Sequence, residues 1–247
     1  MNKLILAVLT FLLFFVIACG KKASTESLNI RYYGNFKNIV QQRNTDGVVD
    51  LNAVLTAPNT YAVGAIKKGE GEITVQNSEV WLSYGKDGLN KTTRTIPKKE
   101  QALLLVTAQV ENWQEIVVQK SMSQSELNEF IVENAKKHGI DTNLPFPFLI
   151  EGNFQKILWH ISNGLNPKFK GHGQGTLFTQ LTEEKKQTDA TIIGFYSAKI
   201  QGVFTHPGDS WHLHVLFRNE KKAGHVDEIT VQKGNILKLP MSVGISQ

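Results

Sequence analysis

One cysteine, Cys19, among 247 residues leaves no internal disulfide to be made, so the fold must be held by its core. Proline is scarce, at 7 against 20 glycines, and the remaining composition is that of an ordinary globular chain, 41% hydrophobic and 20% charged. That length can bury a substantial core in one large domain or two small ones. No segment interleaves basic with aromatic residues. The net charge of +5 comes from scattered pairs such as Lys67-Lys68, Lys136-Lys137 and Lys221-Lys222, which excludes a nucleic-acid-binding stripe. No internal repeat is present. The glycine-rich Gly171-His172-Gly173-Gln174-Gly175 lacks a following Lys-Ser/Thr, which excludes a phosphate loop and leaves a flexible connection.

What is present begins with a targeting segment. Lys3 supplies a positive start, and Leu4 to Ile17 form an apolar run broken only by Thr10, ending at Ala18-Cys19-Gly20. Val16-Ile17-Ala18-Cys19 fits a bacterial lipoprotein signal, whose cleavage leaves Cys19 as a lipid-modified N-terminus. The run is short for an uncleaved anchor. Residues 1–18 are therefore expected to be a signal peptide and 19–27 a lipidated polar linker. The domain would run over 28–247, with an N-terminal part to about residue 165 and a C-terminal metal-binding part after it. Such a protein would be exported and tethered to a bacterial membrane, and Gly20 after the cysteine carries no mark for inner-membrane retention.

Along the body, strands dominate. Asp50 is placed to cap a short helix, 51–55, ahead of Pro58. Tyr61 to Ile66 reads as a strand followed by the turn Lys67 to Gly71. Glu72 to Gln76 and Glu79 to Tyr84 alternate outward and inward across Asn77-Ser78. Leu103 to Val110 is continuously apolar and expected to be buried on both faces. Ser123 with Glu126 forms a capping box for a helix over 124–138, closed by Gly139. Phe146 to Ile150 and Phe154 to Ile161 read as a hairpin through Glu151-Gly152. Short strands follow at Ile192 to Tyr196, Gly202 to Phe204 and Asn235 to Leu239. The pattern predicts an α+β fold with mixed or antiparallel sheets in two subdomains and few helices.

Three of the seven histidines fall in one stretch, Trp211 to His225. On a strand, residues two apart share a face, so His212 and His214 aim together and Leu213 and Val215 aim the other way. Arg218 to Gly224 reads as a hairpin connection. With Phe217 near Gly224, His225 would lie opposite Leu216, a diagonal step from the pair. An isolated strand histidine is more often a hydrogen-bonded, partly buried residue than a ligand. Three converging on one face are better explained as a metal site on a C-terminal β-hairpin, with positions left open for chemistry. Ring nitrogens suit Zn2+, with iron, copper or nickel also compatible.

Ile193-Gly194-Phe195-Tyr196, Gln201-Gly202-Val203, His212-Leu213-His214 and Lys222-Ala223-Gly224-His225-Val226 together resemble the C-terminal signature of the α-acetolactate decarboxylase family. Tyr61 to Ile66 with Gly71-Glu72-Ile73, and Phe148 to Phe154, resemble its N-terminal and central segments. The resemblance implies a two-part α+β fold and a zinc held by His212, His214 and His225. It also implies decarboxylation of acetolactate, or a related 2-hydroxy-3-keto acid, to an acetoin-type product. It places Glu72 as the carboxylate beside the metal, with Glu70 as the competing choice if the turn shifts by two. It also implies a small keto acid as partner and admits a homodimer. Two departures accompany it: Leu149 stands where the family has an arginine, and no acidic residue follows Asp227-Glu228 to match a family tail glutamate. They leave a second expectation open, a non-catalytic metal- or ligand-binding lipoprotein that kept the three histidines.

Overall fold

A computed structural model describes residues 28–89, 91–169, 176–206 and 208–241. The signal segment, Cys19, its linker and the loop 171–175 lie outside the described residues. Among them thirteen strands form two antiparallel sheets, accompanied by three α-helices, the α+β architecture that the sequence predicts. No described helix is long and apolar enough to cross a membrane.

The first sheet contains β1 (Arg31–Tyr33), β2 (Val49–Asp50), β3 (Thr60–Ile66), β4 (Gly71–Gln76), β5 (Glu79–Tyr84), β6 (Thr92–Thr93) and β7 (Gln101–Gln109). Its order is β1-β7-β3-β4-β5-β6, with β2 also paired to β7. Helix α1 (Phe36–Gln42) is capped by the Asn35 side chain, and α2 (Leu51–Val54) by Asp50, which accepts from the Asn52 amide at 2.8 Å. The alternation expected for β4 and β5 is not realised. Both strands are buried along nearly their whole length, because one face packs inside the sheet's own cluster and the other meets the second sheet.

The second sheet contains β8 (Trp113–Val117), β9 (Phe146–Leu165), β10 (Phe178–Tyr196), β11 (Trp211–Phe217), β12 (Lys222–Val231) and β13 (Ile236–Pro240). Its path runs β10-β11-β12-β9-β13-β8, and β9 pairs with β10 as well, so four strands close into a ring. The expected hairpin at Glu151-Gly152 is absent. Instead β9 is one continuous strand that uses both edges: Ala190 pairs with Gly152, while Ile236 pairs with Glu151. Gly152 takes φ of 134°, a region nearly closed to residues with a Cβ, and so lets the strand continue where a turn signal sits. The segment 202–204 is likewise a turn rather than a strand. Its carbonyls at Val203 and Gly202 accept from the Phe36 and Lys37 amides and so hold the start of α1.

Side-chain alternation gives the second sheet two apolar faces. Ile150, Ile192, Leu213 and Val215 pack with Leu127, Ile131 and Ala135 of α3 (Gln124–Lys137). Leu149, Ile193, Phe195 and Leu216 face Tyr61, Val63, Trp81 and Val106 of the first sheet. His212 and His214 share the second face, so the histidines are trapped between the sheets.

Candidate metal centre

The β11–β12 hairpin pairs in a different register from the expected one. Phe217 lies opposite Lys222, Val215 opposite Gly224, and His214 directly opposite His225. A tight turn at Arg218–Glu220, closed by Lys221 with φ of 56°, takes up the residues that sequence reading assigned to a longer loop. Gly224 has no room for a side chain: a Cβ there would stand 2.5 Å from the His160 carbonyl oxygen and 2.7 Å from the Trp159 ring. Its absence lets β12 press against β9 and sets the depth of His225.

His212, His214 and His225 present ring nitrogens within 4.8 Å of one another. The Nε2 atoms of His212 and His214 are 3.2 Å apart. His214 Nδ1 is 2.8 Å from Thr74 Oγ1 of β4. The Phe204 carbonyl acts on the His212 ring, yet the buried Nδ1 of His212 has no hydrogen-bond partner among the described residues. Burial lowers all three basicities. The pKa of His212 falls to about 3, and His214 and His225 lie well below the ordinary histidine value, with the neighbouring imidazoles adding to the effect. Three neutral imidazoles with converging lone pairs are the form a metal ion requires. The 3.2 Å separation also fits, since zinc–nitrogen bonds of roughly 2.0–2.1 Å at tetrahedral angles put the nitrogens about 3.3–3.4 Å apart. The donor set therefore suits a divalent transition metal.

Glu72 joins the histidines from β4. It is only 3% exposed, its Oε1 accepts from the Ser162 amide at 3.0 Å, and its Oε2 lies 3.7 Å from His214 Nε2. Burial raises the Glu72 pKa against the opposing pull of His160 and the Ser162 amide. A carboxyl so placed retains its proton to higher pH than an exposed glutamate. Glu70, the competing choice, is exposed at the end of the preceding turn and lines no described cavity near the histidines.

Sequence reading missed His160. It sits on β9 directly opposite His225, with ring centroids 4.8 Å apart. Asp227 accepts from its Nδ1 at 2.8 and 2.9 Å, and the Gln180 amide lies 3.0 Å from its Nε2. Burial opposes protonation of His160, but the Asp227 hydrogen bond and the Glu72 charge outweigh it and raise the pKa. Leu149 stands apart from all of this. It is buried beside a separate depression with Tyr61, Glu151 and Arg218, so the basic group that β9 brings to the histidines is His160.

These groups open onto a cavity of about 410 Å³. Glu72, His160, Ser162, Gln180, His206, His212 and His225, with Thr176 and Thr205, form its polar lining, while His214 is sealed behind them. The rest is apolar, from Phe36 and Val40 of α1 to Phe204. Among the described residues that line it there is no lysine or arginine.

Residues 33–242 match the family described as alpha-acetolactate decarboxylase. The fold is similar to that of alpha-acetolactate decarboxylase from Bacillus subtilis strain 168, with a TM-score of 0.68 at 15% identity over 85% of each chain. It is also similar to a Staphylococcus aureus protein described as of unknown function and similar to alpha-acetolactate decarboxylase. That match has a TM-score of 0.65 at 14% identity over 86% of this chain and 85% of the other. Among curated protein sequences, none matches significantly.

Proposed function

The chain belongs to the alpha-acetolactate decarboxylase family, and from that premise we propose that it removes CO2 from a 2-hydroxy-3-keto acid, acetolactate or a close relative. The observation that carries this reading is the convergence of three neutral histidines and a proton-retaining Glu72 on one cavity. His212, His214 and His225 would hold a divalent transition metal, with zinc the best match to an all-nitrogen set. When bound, such an ion supplies a Lewis acid for the negative charge that develops on the substrate's carbonyl oxygen.

The chain's own groups account for the rest. As the bond to the carboxylate breaks, its electron pair moves toward the adjacent carbonyl and CO2 departs. The carbon left behind needs a proton, and Glu72, whose carboxyl burial makes less acidic than an exposed glutamate, is placed to give one. His160, oriented by Asp227 and made more basic by it, would offer positive charge to the departing carboxylate, since no guanidinium is among the described residues that line the cavity. Phe36 and Phe204 restrict water and favour loss of a charged group from the ground state.

Purified protein lacking residues 1–18 should release CO2 and form acetoin from acetolactate, and should lose that activity on chelation. A metal-loaded preparation that turns over no keto acid would refute this reading. It would support the second one, a metal- or ligand-binding protein, which the lack of lysine or arginine among the described residues lining the cavity favours. The same proposal includes export and a lipid on Cys19. Cells supplied with labelled fatty acid should then incorporate the label into the protein and fail to do so with Cys19→Ala; equal labelling of both counts against the anchor.

A further inference from the structure

The cavity is larger and more apolar than acetolactate needs. At roughly 30 Å³ or less per non-hydrogen atom, the share of one molecule in liquid water, acetolactate's about nine such atoms take at most ~270 Å³. The space is about 410 Å³, in the range of pockets that hold drug-sized ligands. Its polar groups come from β4, β9, β10, β11 and β12, from Thr176, and from the turn at Thr205 and His206. A second part of the lining is built from Phe36, Val40, Leu104, Phe169, Leu177 and Phe178. These six side chains belong to one apolar cluster with Ile39 and Leu103, so they form a packed wall rather than scattered contacts. A substrate offering only methyl groups would leave that wall against water.

We propose that the site takes 2-hydroxy-3-keto acids in which a longer or branched apolar substituent replaces one methyl of acetolactate, and that this wall sets the preference. The inference rests on the decarboxylase reading above. The substituent takes no part in bond breaking, so its burial is the same in ground and transition states. It should therefore lower KM and leave kcat nearly unchanged. Each methylene added until the wall is filled should be worth about fourfold.

The test uses two series on the metal-loaded protein. The first is 2-hydroxy-3-oxobutanoates with a methyl, ethyl, propyl or isobutyl group at carbon 2, assayed for CO2 release. The second is the matching hydroxyketones, which have no carboxylate to lose, titrated calorimetrically with and without metal. The expected result is a KM falling about fourfold per methylene and hydroxyketone affinity rising in step. Val40→Trp and Leu177→Phe, which occupy the wall, should flatten both trends; the wild-type series stand without them if either variant fails to fold. Acetolactate as the best substrate, with hydroxyketone affinity independent of length, overturns the inference while leaving the decarboxylase reading intact. If no keto acid loses CO2 but affinity climbs with length, the decarboxylase reading fails and the apolar preference stands.

Discussion

At His214, Nδ1 lies 2.8 Å from the Thr74 hydroxyl, and in the tautomer that a metal on Nε2 requires it donates to that oxygen, leaving the lone pair on Nε2, the nitrogen facing His212 at 3.2 Å. Thr74 thus holds the ring plane of a fully buried side chain and accommodates the tautomer that metal binding needs. Thr74→Val keeps the shape and removes the oxygen, so affinity for zinc should fall about 10–100-fold while Thr74→Ser restores most of it. Competition against a chromophoric chelator measures this, and equal affinity in all three proteins would discount the contact. The histidines themselves were legible because strand period and hairpin direction are local. Glu72 was legible only through its surrounding Gly-Glu-Ile. His160 was not, because the alternation on β9 changes phase. Phe146, Phe148 and Ile150 face the α3 side, and farther along Ile157, Trp159 and Ile161 do. Counting by twos from Leu149 passes His160 by.

The elements divide by how locally they are determined. Helix α3 was readable to within one residue of its end, since its capping box is a four-residue device: Ser123 and Glu126 exchange hydrogen bonds in both directions. Those bonds and Lys120 hold Glu126 down to a pKa of about 2, below the roughly 4.3 of an unfolded chain. Because the folded value is the depressed one, its contribution is complete above about pH 4.3 and is lost as pH falls toward 2. Melting temperatures taken between pH 5 and 2 should therefore fall more steeply for the wild type than for Glu126→Gln, and parallel curves would refute the assignment. Strand β9 was misread because its turn signal is local and its partners are not. A Glu-Gly pair invites a turn, but β10 pairs with β9 on both sides of it from Phe146 to Leu165. The hairpin register failed for the same reason in reverse: Lys221, in a left-handed conformation, closes a shorter turn than the charged run suggested.

At the scale of the whole molecule, two kinds of polar contact join the sheets beside the apolar cluster between them. At the rim, Arg218 of the β11–β12 turn donates to Glu79 at 2.7 Å and to Gln76 at 2.9 Å, and Arg94 reaches the other Glu79 oxygen at 2.7 Å. These hydrogen bonds and charges hold Glu79 below the usual carboxylate range, but the groups are largely solvent-exposed. Such pairs contribute about 0–1 kcal/mol and are screened by salt. In the middle, Ser83 donates to the Ala223 carbonyl at 2.7 Å, Thr74 meets His214, and Glu72 accepts from Ser162. There the second sheet presents three uncharged imidazoles whose lone pairs are left for a cation. An ion bound only by the folded state at 100 times its dissociation constant stabilises by about 2.7 kcal/mol. For a chain of this size each kcal/mol moves the melting temperature by roughly 2–4 °C. Calorimetry should accordingly show zinc-loaded protein melting about 5–11 °C above chelator-treated protein. His214→Ala should abolish that difference, whereas Arg218→Ala should lower both melting points slightly and preserve it. A rim variant that erased the zinc effect, or a His214→Ala protein that kept it, would mean that the ion does not bind at the histidine centre.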